Sequence, residues 1–192
     1  MRLLKDYRQP NDKIKNLVKD GLLLPVRRGL YLPGKEIRRQ QPDPFLIAHH
    51  IFGPSHVSLD SALSYYSLIP ETVYAITSVT TKMSRKFSTK VGSFTYTRLP
   101  LPYYSFGIKS MEITPNQRFL IASPEKALFD KIITTPGVEL RSMKTTRMYL
   151  EDDLRIDLDM VKTMNFTMME EWIANAPKKS TLRMLLETLK QL

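Results

Sequence analysis

Two hydrophobic periods run along the chain, and they place most of its elements. Ile14, Leu17 and Val18 recur at the i, i+3, i+4 spacing of one helical stripe, leaving Lys13, Lys15, Asn16 and Lys19 on the outer face. With Asn11 as the expected N-cap and Gly21 as the left-handed terminator, a helix of about ten residues is predicted. Two short apolar runs follow, residues 22–26 and 30–32, separated by Arg27-Arg28-Gly29. Glycine can take the positive φ of a tight hairpin, so the pair reads as a β-hairpin with two arginines at its tip. Residues 33–42 are polar and broken by Pro33-Gly34 and Pro42, and they are the predicted linker between a module at 1–41 and a larger unit at 42–192.

Beyond the linker, Asp43-Pro44 reads as an N-cap with proline in the first helical position, opening a helix to about Phe52 that Gly53-Pro54 breaks. Ser58 is expected to cap a helix with Leu59, Ala62, Leu63 and Tyr66 on one face. From residue 73 the period changes to two: 73–80, 94–99 and 117–122 are predicted strands, with 106–113 as a fourth. Ser123-Pro124 starts a helix that turns Ala127, Leu128 and Ile132 inward. The rest is predicted helical: 140–154, a short piece after Asp157, a Thr167 to Glu170 capping box opening a helix around Trp172, and a final helix with Leu182, Leu185, Leu186 and Leu189 on one side. Strands in series without regular βαβ alternation predict an α+β fold, with a mixed or antiparallel sheet packed with helices and a helical C-terminus.

Charge sharpens the picture of the first module. The chain has 192 residues and a formal net charge of +10, with a pI near 9.7, which favours an anionic partner. Eleven basic and four acidic residues lie within 1–41, against 18 and 15 in the remainder. A short helix leading into a basic hairpin is the contact end of a winged helix, in which the helix enters the major groove and the wing rests on the backbone. Lys13, Lys15, Lys19, Arg27 and Arg28 are the candidate phosphate contacts. Asn16 is the candidate base reader, because its amide matches the donor and acceptor of adenine. The bland alternative is a solvated helix face on a protein-interaction module.

The stretch KNLVKDGLLLPVRRGLYLP resembles the N-terminal module of the AbiEi family, the antitoxin and transcriptional-repressor half of type IV toxin-antitoxin systems. SHVSLDSALSYYSLIP and ASPEKALFDKI resemble that family's middle segment, so the resemblance covers most of the chain. It implies a winged-helix DNA-binding module, repression of its own operon through inverted repeats in the promoter, and antagonism of a nucleotidyltransferase-like toxin, in that family typically without a stable complex. The family pattern carries two helices ahead of the recognition helix. Residues 1–10 have room for a turn and a half before Pro10, so the first helix is expected to be missing. An upstream start, a degraded module and completion by a partner chain are all compatible with this. The alternative function is a protein-interaction module derived from such a repressor that no longer binds DNA.

Other residue patterns suggest chemistry and have simpler readings beside it. Residues 79–111 hold Lys82, Arg85, Lys86, Lys90, Arg98 and Lys109 with no acidic residue, interleaved with Tyr96, Tyr103, Tyr104 and Phe106. Such a composition can stack single strands, or it can be a sheet-edge hairpin whose lysines deter pairing; a third use is a face for the toxin or its nucleic-acid substrate. Ser123-Pro-Glu-Lys126 matches the S-x-x-K of serine acyl enzymes, but a capped helix start explains it directly. His49, His50 and His56 lack a metal-binding pattern. Glu151, Asp152, Asp153, Asp157 and Asp159 suggest Mg²⁺ binding or the docking of a basic partner, and Arg147 and Arg155 are the expected counter-charges. Six methionines between residues 143 and 169 read as core filler or an adaptable interface. No catalysis, cofactor or metal is expected. Without cysteines, an apolar span near 18 residues or a signal sequence, the expectation is a cytoplasmic protein with no membrane contact.

Overall fold

The fold, taken from a computed structural model, is described for residues 7–38, 40, 42–114 and 117–192. Helix α1 (Pro10–Lys19) begins earlier than the pattern suggested. Gln9 holds the N-cap position without a side-chain capping bond, and Pro10 takes the first helical position, so Asn11 lies inside the helix and does not cap it. Proline suits that place because its missing N–H has no intrahelical partner there. The helix ends as expected: Gly21 sits at φ +71° and donates its N–H to Val18 O at 3.2 Å. Strands β1 (Leu23–Arg27) and β2 (Leu30–Pro33) then pair antiparallel, with Gly29 at φ +81° in the turn. Where the first helix of a winged fold is expected, residues 1–6 lie outside the described residues.

In α2 (Pro44–Ile51) Asp43 is the cap, its carboxylate accepting from Phe45 N at 2.7 Å. The elements that follow are β3 (Ser55–Val57), α3 (Leu59–Tyr65), β4 (Ala75–Thr80), β5 (Arg85–Thr89), β6 (Gly92–Arg98), β7 (Ile108–Thr114) and β8 (Gln117–Ala122). The strands from β3 onward form one six-stranded mixed sheet in the order β5-β6-β4-β3-β8-β7, in an α+β fold. Both β3 and β5 escape the sequence pattern. β3 is three residues long, too short to show a period, and the cations of β5 make it read as a loop. The helical remainder is α4 (Pro124–Thr134), α5 (Met143–Met148) continued by a π turn at Tyr149–Asp153, α6 (Leu158–Val161), α7 (Phe166–Ile173) and α8 (Lys179–Leu189). Two starts are corrected. Ser142 caps α5, accepting from Thr145 N at 3.2 Å, and Asn165 replaces the Thr167 box by accepting from Met168 N at 3.1 Å.

Side-chain alternation puts Val79 on one sheet face and Phe94 and Tyr96 on the other, with Val57 and Ile121 in register on the Tyr96 side, and two cores pack against the sheet. The larger core joins Val79, Phe119 and Ile121 to α3, α4 and the C-terminal helices, with Leu182, Leu185, Leu186 and Leu189 of α8 buried as predicted. The smaller one joins Val26 of the hairpin to Ile47, Ala48 and Ile51 of α2 and to Phe94 and Tyr96 of β6, with Leu30 and Leu32 packed against them. Tyr96 fixes this contact by donating its hydroxyl to Ala48 O at 2.6 Å.

At the centre of the larger core lies a charge pair. Lys126 and Asp130 are both completely buried, one helical turn apart on α4, and are ion-paired. Asp130 also accepts from Ser58 Oγ at 2.6 Å and from the Tyr103 hydroxyl at 2.9 Å, while the Lys126 ammonium sits 4.0 Å from the centre of the Tyr103 ring. Ser58 thus occupies the N-cap position of α3 without capping it, because its hydroxyl is turned to Asp130. Removing one partner of a buried pair strands the other charge, so Asp130→Ala is expected to destabilise by about 3–5 kcal/mol in urea unfolding. Replacing both, as Lys126→Met with Asp130→Leu, should recover most of that loss.

His56, 1% exposed, has no hydrogen-bond partner on either ring nitrogen among the described residues, and its ring packs against that of Tyr104 with centroids 4.8 Å apart. Burial and then the Lys126 charge push its pKa down to about 3. Its folded value therefore lies below that of the unfolded chain, about 6.5, and stability is lost as pH falls through the window between the two. The unfolding free energy should drop by up to about 1.4 kcal/mol per pH unit below pH 6.5 on this account. His56→Leu should flatten that slope in unfolding experiments from pH 6.5 to pH 4.

Candidate nucleic-acid interface

The junction between α1 and the hairpin is set by two glycines. Gly34 donates its N–H to Leu22 O at 2.8 Å, and a Cβ built on Gly34 lies only 1.7 Å from Gly21 O. No other residue fits there without moving the backbone. The end of α1 is thereby held against the base of the hairpin, while the far face of the hairpin rests on α2 and β6 through Val26, Leu30 and Leu32. The two elements are joined with a fixed relation at their shared end, and each presents an exposed surface.

Lys15, Asn16 and Lys19 are exposed on α1, and Arg27 and Arg28 are exposed at the hairpin tip. Lys13 is half-buried, its ammonium 5.6 Å from the centre of the Tyr7 ring. Lys15 pairs with Asp12 at 3.1 Å, yet the side chains remain 77% and 56% exposed, so the contact leaves the lysine in solvent. Arg27 lies close enough to Tyr96 for its charge to act against the burial that raises the phenol's pKa. The hairpin is anchored to the body of the protein by the packing of Val26, Leu30 and Leu32. The apolar stripe of α1 is less enclosed: Ile14, Leu17 and Val18 are only half-buried, and none of the helix's residues is fully buried.

Several other candidate groups fall into structural roles. Ser123 caps α4, accepting from Lys126 N at 3.3 Å, and the lysine's ammonium is committed to Asp130, so the S-x-x-K spacing does not assemble an acylating pair. Tyr96, Tyr103 and Tyr104 belong to the cores, and Phe106 stacks on Trp172 at 6.4 Å, so these rings are not an exposed stacking platform. The basic stretch at 79–111 is divided by the sheet: Lys82, Arg85, Lys86, Lys90 and Arg98 gather at the β5 end, while Lys109 is on β7 at the opposite edge. Arg147 pairs with Glu151 at 2.7 Å as expected, but Arg155 reaches Glu71 at 3.3 Å, outside the acidic stretch. Asp157 caps α6 and Asp159 pairs with Lys162. No group of three acidic or histidine side chains among the described residues is arranged to hold a metal, and none of the described helices is long and apolar enough to cross a membrane. The buried Lys126, Asp130, Ser58 and Tyr103 cluster is the feature that the sequence pattern missed. The Lys126 to Asp130 spacing of four was its only local trace.

No protein-family model matches the chain, and no curated protein matches it.

Since Gly34 has no room for a Cβ, Gly34→Ala is expected to cost about 1–3 kcal/mol by overpacking. The loss should be local. Hydrogen exchange should accelerate in α1 and the hairpin while the amides of β4 and β8 keep their protection.

Proposed function

We propose that the chain is a cytoplasmic duplex-DNA-binding antitoxin of the type IV kind, without catalytic activity of its own. Its N-terminal module, residues 1–41, binds inverted repeats in its own promoter and represses the operon, and the protein counters a nucleotidyltransferase-like toxin. In this reading α1 enters the major groove with Asn16 at a base edge, and the hairpin lays Arg27 and Arg28 on the backbone. One observation carries it: Lys15, Asn16, Lys19, Arg27 and Arg28 are all exposed, on two elements joined without slack at Gly21 and Gly34.

A second reading, a protein-interaction module descended from such a repressor, draws on the half-covered stripe of Ile14, Leu17 and Val18. An incompletely buried amphipathic helix offers apolar area to a protein partner as readily as its charged side offers itself to DNA.

Fluorescence anisotropy with a labelled promoter duplex separates the two. Five phosphate contacts predict a log-log salt slope of about −4.5. Reversing Arg27 and Arg28 to glutamate should weaken every sequence alike and reduce that slope by about 2. Asn16→Ala should relax preference at one base position at a cost of about 1–3 kcal/mol. Weak, salt-insensitive binding with no effect of the arginines leaves the interaction module as the reading.

A further inference from the structure

Strand β5 is the outermost strand of the sheet, bonded to β6 on one side and with no strand beyond it among the described residues. Around it Lys82, Arg85, Lys86, Lys90 and Arg98 are all exposed. None of the five takes part in an ion pair among the described residues, although cations elsewhere on the chain repeatedly do. Two of them are held in place from beneath. Lys82 Nζ lies 5.4 Å from the centre of the Phe52 ring and donates to Gly53 O at 2.6 Å, and the Arg85 guanidinium lies 5.2 Å from the centre of the Phe87 ring. Phe52, Phe87 and Tyr96 in turn pack on one another with centroids 5.6, 5.3 and 5.7 Å apart. Phe52, Lys82, Met83, Ser84 and Arg85 line an open, largely apolar cleft of about 560 Å³, and Met83 is 80% exposed at its side.

We propose that this edge docks an extended acidic segment of a partner protein. The segment pairs its backbone with β5, seats an apolar side chain in the cleft between Phe52 and Met83, and sets carboxylates against Lys86 on the opposite face and, at the rim of the cleft, against Lys82 and Arg85. Each feature has a distinct task. The free edge supplies main-chain affinity, the cleft supplies an anchor, and the preoriented cations select the sign of the partner. The same charges oppose pairing with a second copy of this chain, whose net charge is +10. A polynucleotide satisfies the cations but leaves the apolar cleft unfilled, and Lys82 and Arg85 already cover the ring faces on which a base stacks. The inference is independent of the duplex reading, since it uses no residue of α1 or the hairpin.

The test titrates the full chain with labelled peptides of about ten residues, the length of a long strand. One alternates glutamate with valine and leucine, one replaces each glutamate by lysine, and one replaces each apolar residue by serine. A promoter duplex and a single-stranded oligonucleotide are titrated in parallel. The acidic-apolar peptide is expected to bind about tenfold or more tighter than either other peptide, and to raise amide protection in β5. Arg85→Glu with Lys86→Glu should lower that affinity about tenfold, as should Met83→Asp alone, with duplex affinity unchanged in both variants. All three positions are exposed, and unaltered urea transitions identify correctly folded variants. The proposal is overturned if the three peptides bind alike or not at all, if Met83→Asp leaves the peptide's affinity intact, or if the double reversal costs oligonucleotide binding instead. Failure of Arg27 and Arg28 reversal to affect the duplex bears on the function proposed above and leaves this inference standing.

Discussion

Burying Lys126 and Asp130 together carries a desolvation penalty of several kcal/mol per ion, and a pair of this kind persists only where every remaining lone pair and proton finds a partner. Here the carboxylate accepts from Lys126, Ser58 and Tyr103, and the ammonium adds the face of the Tyr103 ring. The arrangement ties three distant parts of the chain to one atom group: the head of α3, the segment before β7, and the middle of α4. Burial lowers the Lys126 pKa, and Asp130 opposes that shift. Desolvation together with the hydrogen-bonded carboxylate raises the Tyr103 phenol. Both charges are fully buried, and their hydrogen bonds join separate elements of the fold. The unusual backbone nearby fits the same account. Leu59 sits at φ +57°, and it is held there because Ser58 on one side is bonded to Asp130 and to Thr77, while Ser61 on the other is bonded to Thr77 N at 2.8 Å.

A second constraint operates in the smaller core. Val26, Leu30 and Leu32 give the hairpin its own apolar underside, and Phe94, Tyr96 and Ile51 receive it. Fully burying a valine contributes about 1.5 kcal/mol or more, so a three-residue anchor is enough to hold a short hairpin that is not stable alone. Through Gly34 the same anchor fixes the end of α1. The helix itself has little burial of its own, and its position is inherited from the hairpin it precedes.

These two constraints divide what was readable in the sequence from what was not. Local signals held up: Gly21 and Gly29 at positive φ, Asp43 and Ser123 as caps, the leucine stripe of α8 and the hairpin itself depend on neighbours within a few residues. The candidate interface was legible for that reason, since a helix, a glycine and an arginine turn are contiguous. The role of Asp130 was not. Its partners stand 72 and 27 residues away, and nothing local distinguishes a buried Lys and Asp one turn apart from an ordinary surface pair. The anchoring of the hairpin on β6 was hidden for the same reason. Thr167 lost its predicted capping role to Asn165 because two competent caps stand close together and packing selects between them; Glu125, reaching across to Asn165 N at 3.0 Å, is the contact that favours the earlier start. Strand β5 was hidden by its charges, which resemble a solvated loop until the ladder with β6 is seen.

The distribution of unpaired charge gives the two surfaces a relation to each other. Most carboxylates on the larger unit are matched locally, as in Arg118 with Glu112, Arg147 with Glu151 and Lys190 with Glu170, and such exposed pairs contribute about 0–1 kcal/mol each. They neutralise charge without building stability. The cations left over are concentrated on α1 with the hairpin tip and along β5, and these regions meet at Tyr96: Arg27 acts on it from the hairpin, and Arg85 is its partner across the β5 and β6 ladder. Their underlayers differ, half-covered aliphatic on one side and a closed aromatic group with an open cleft on the other, which favours partners of different shape.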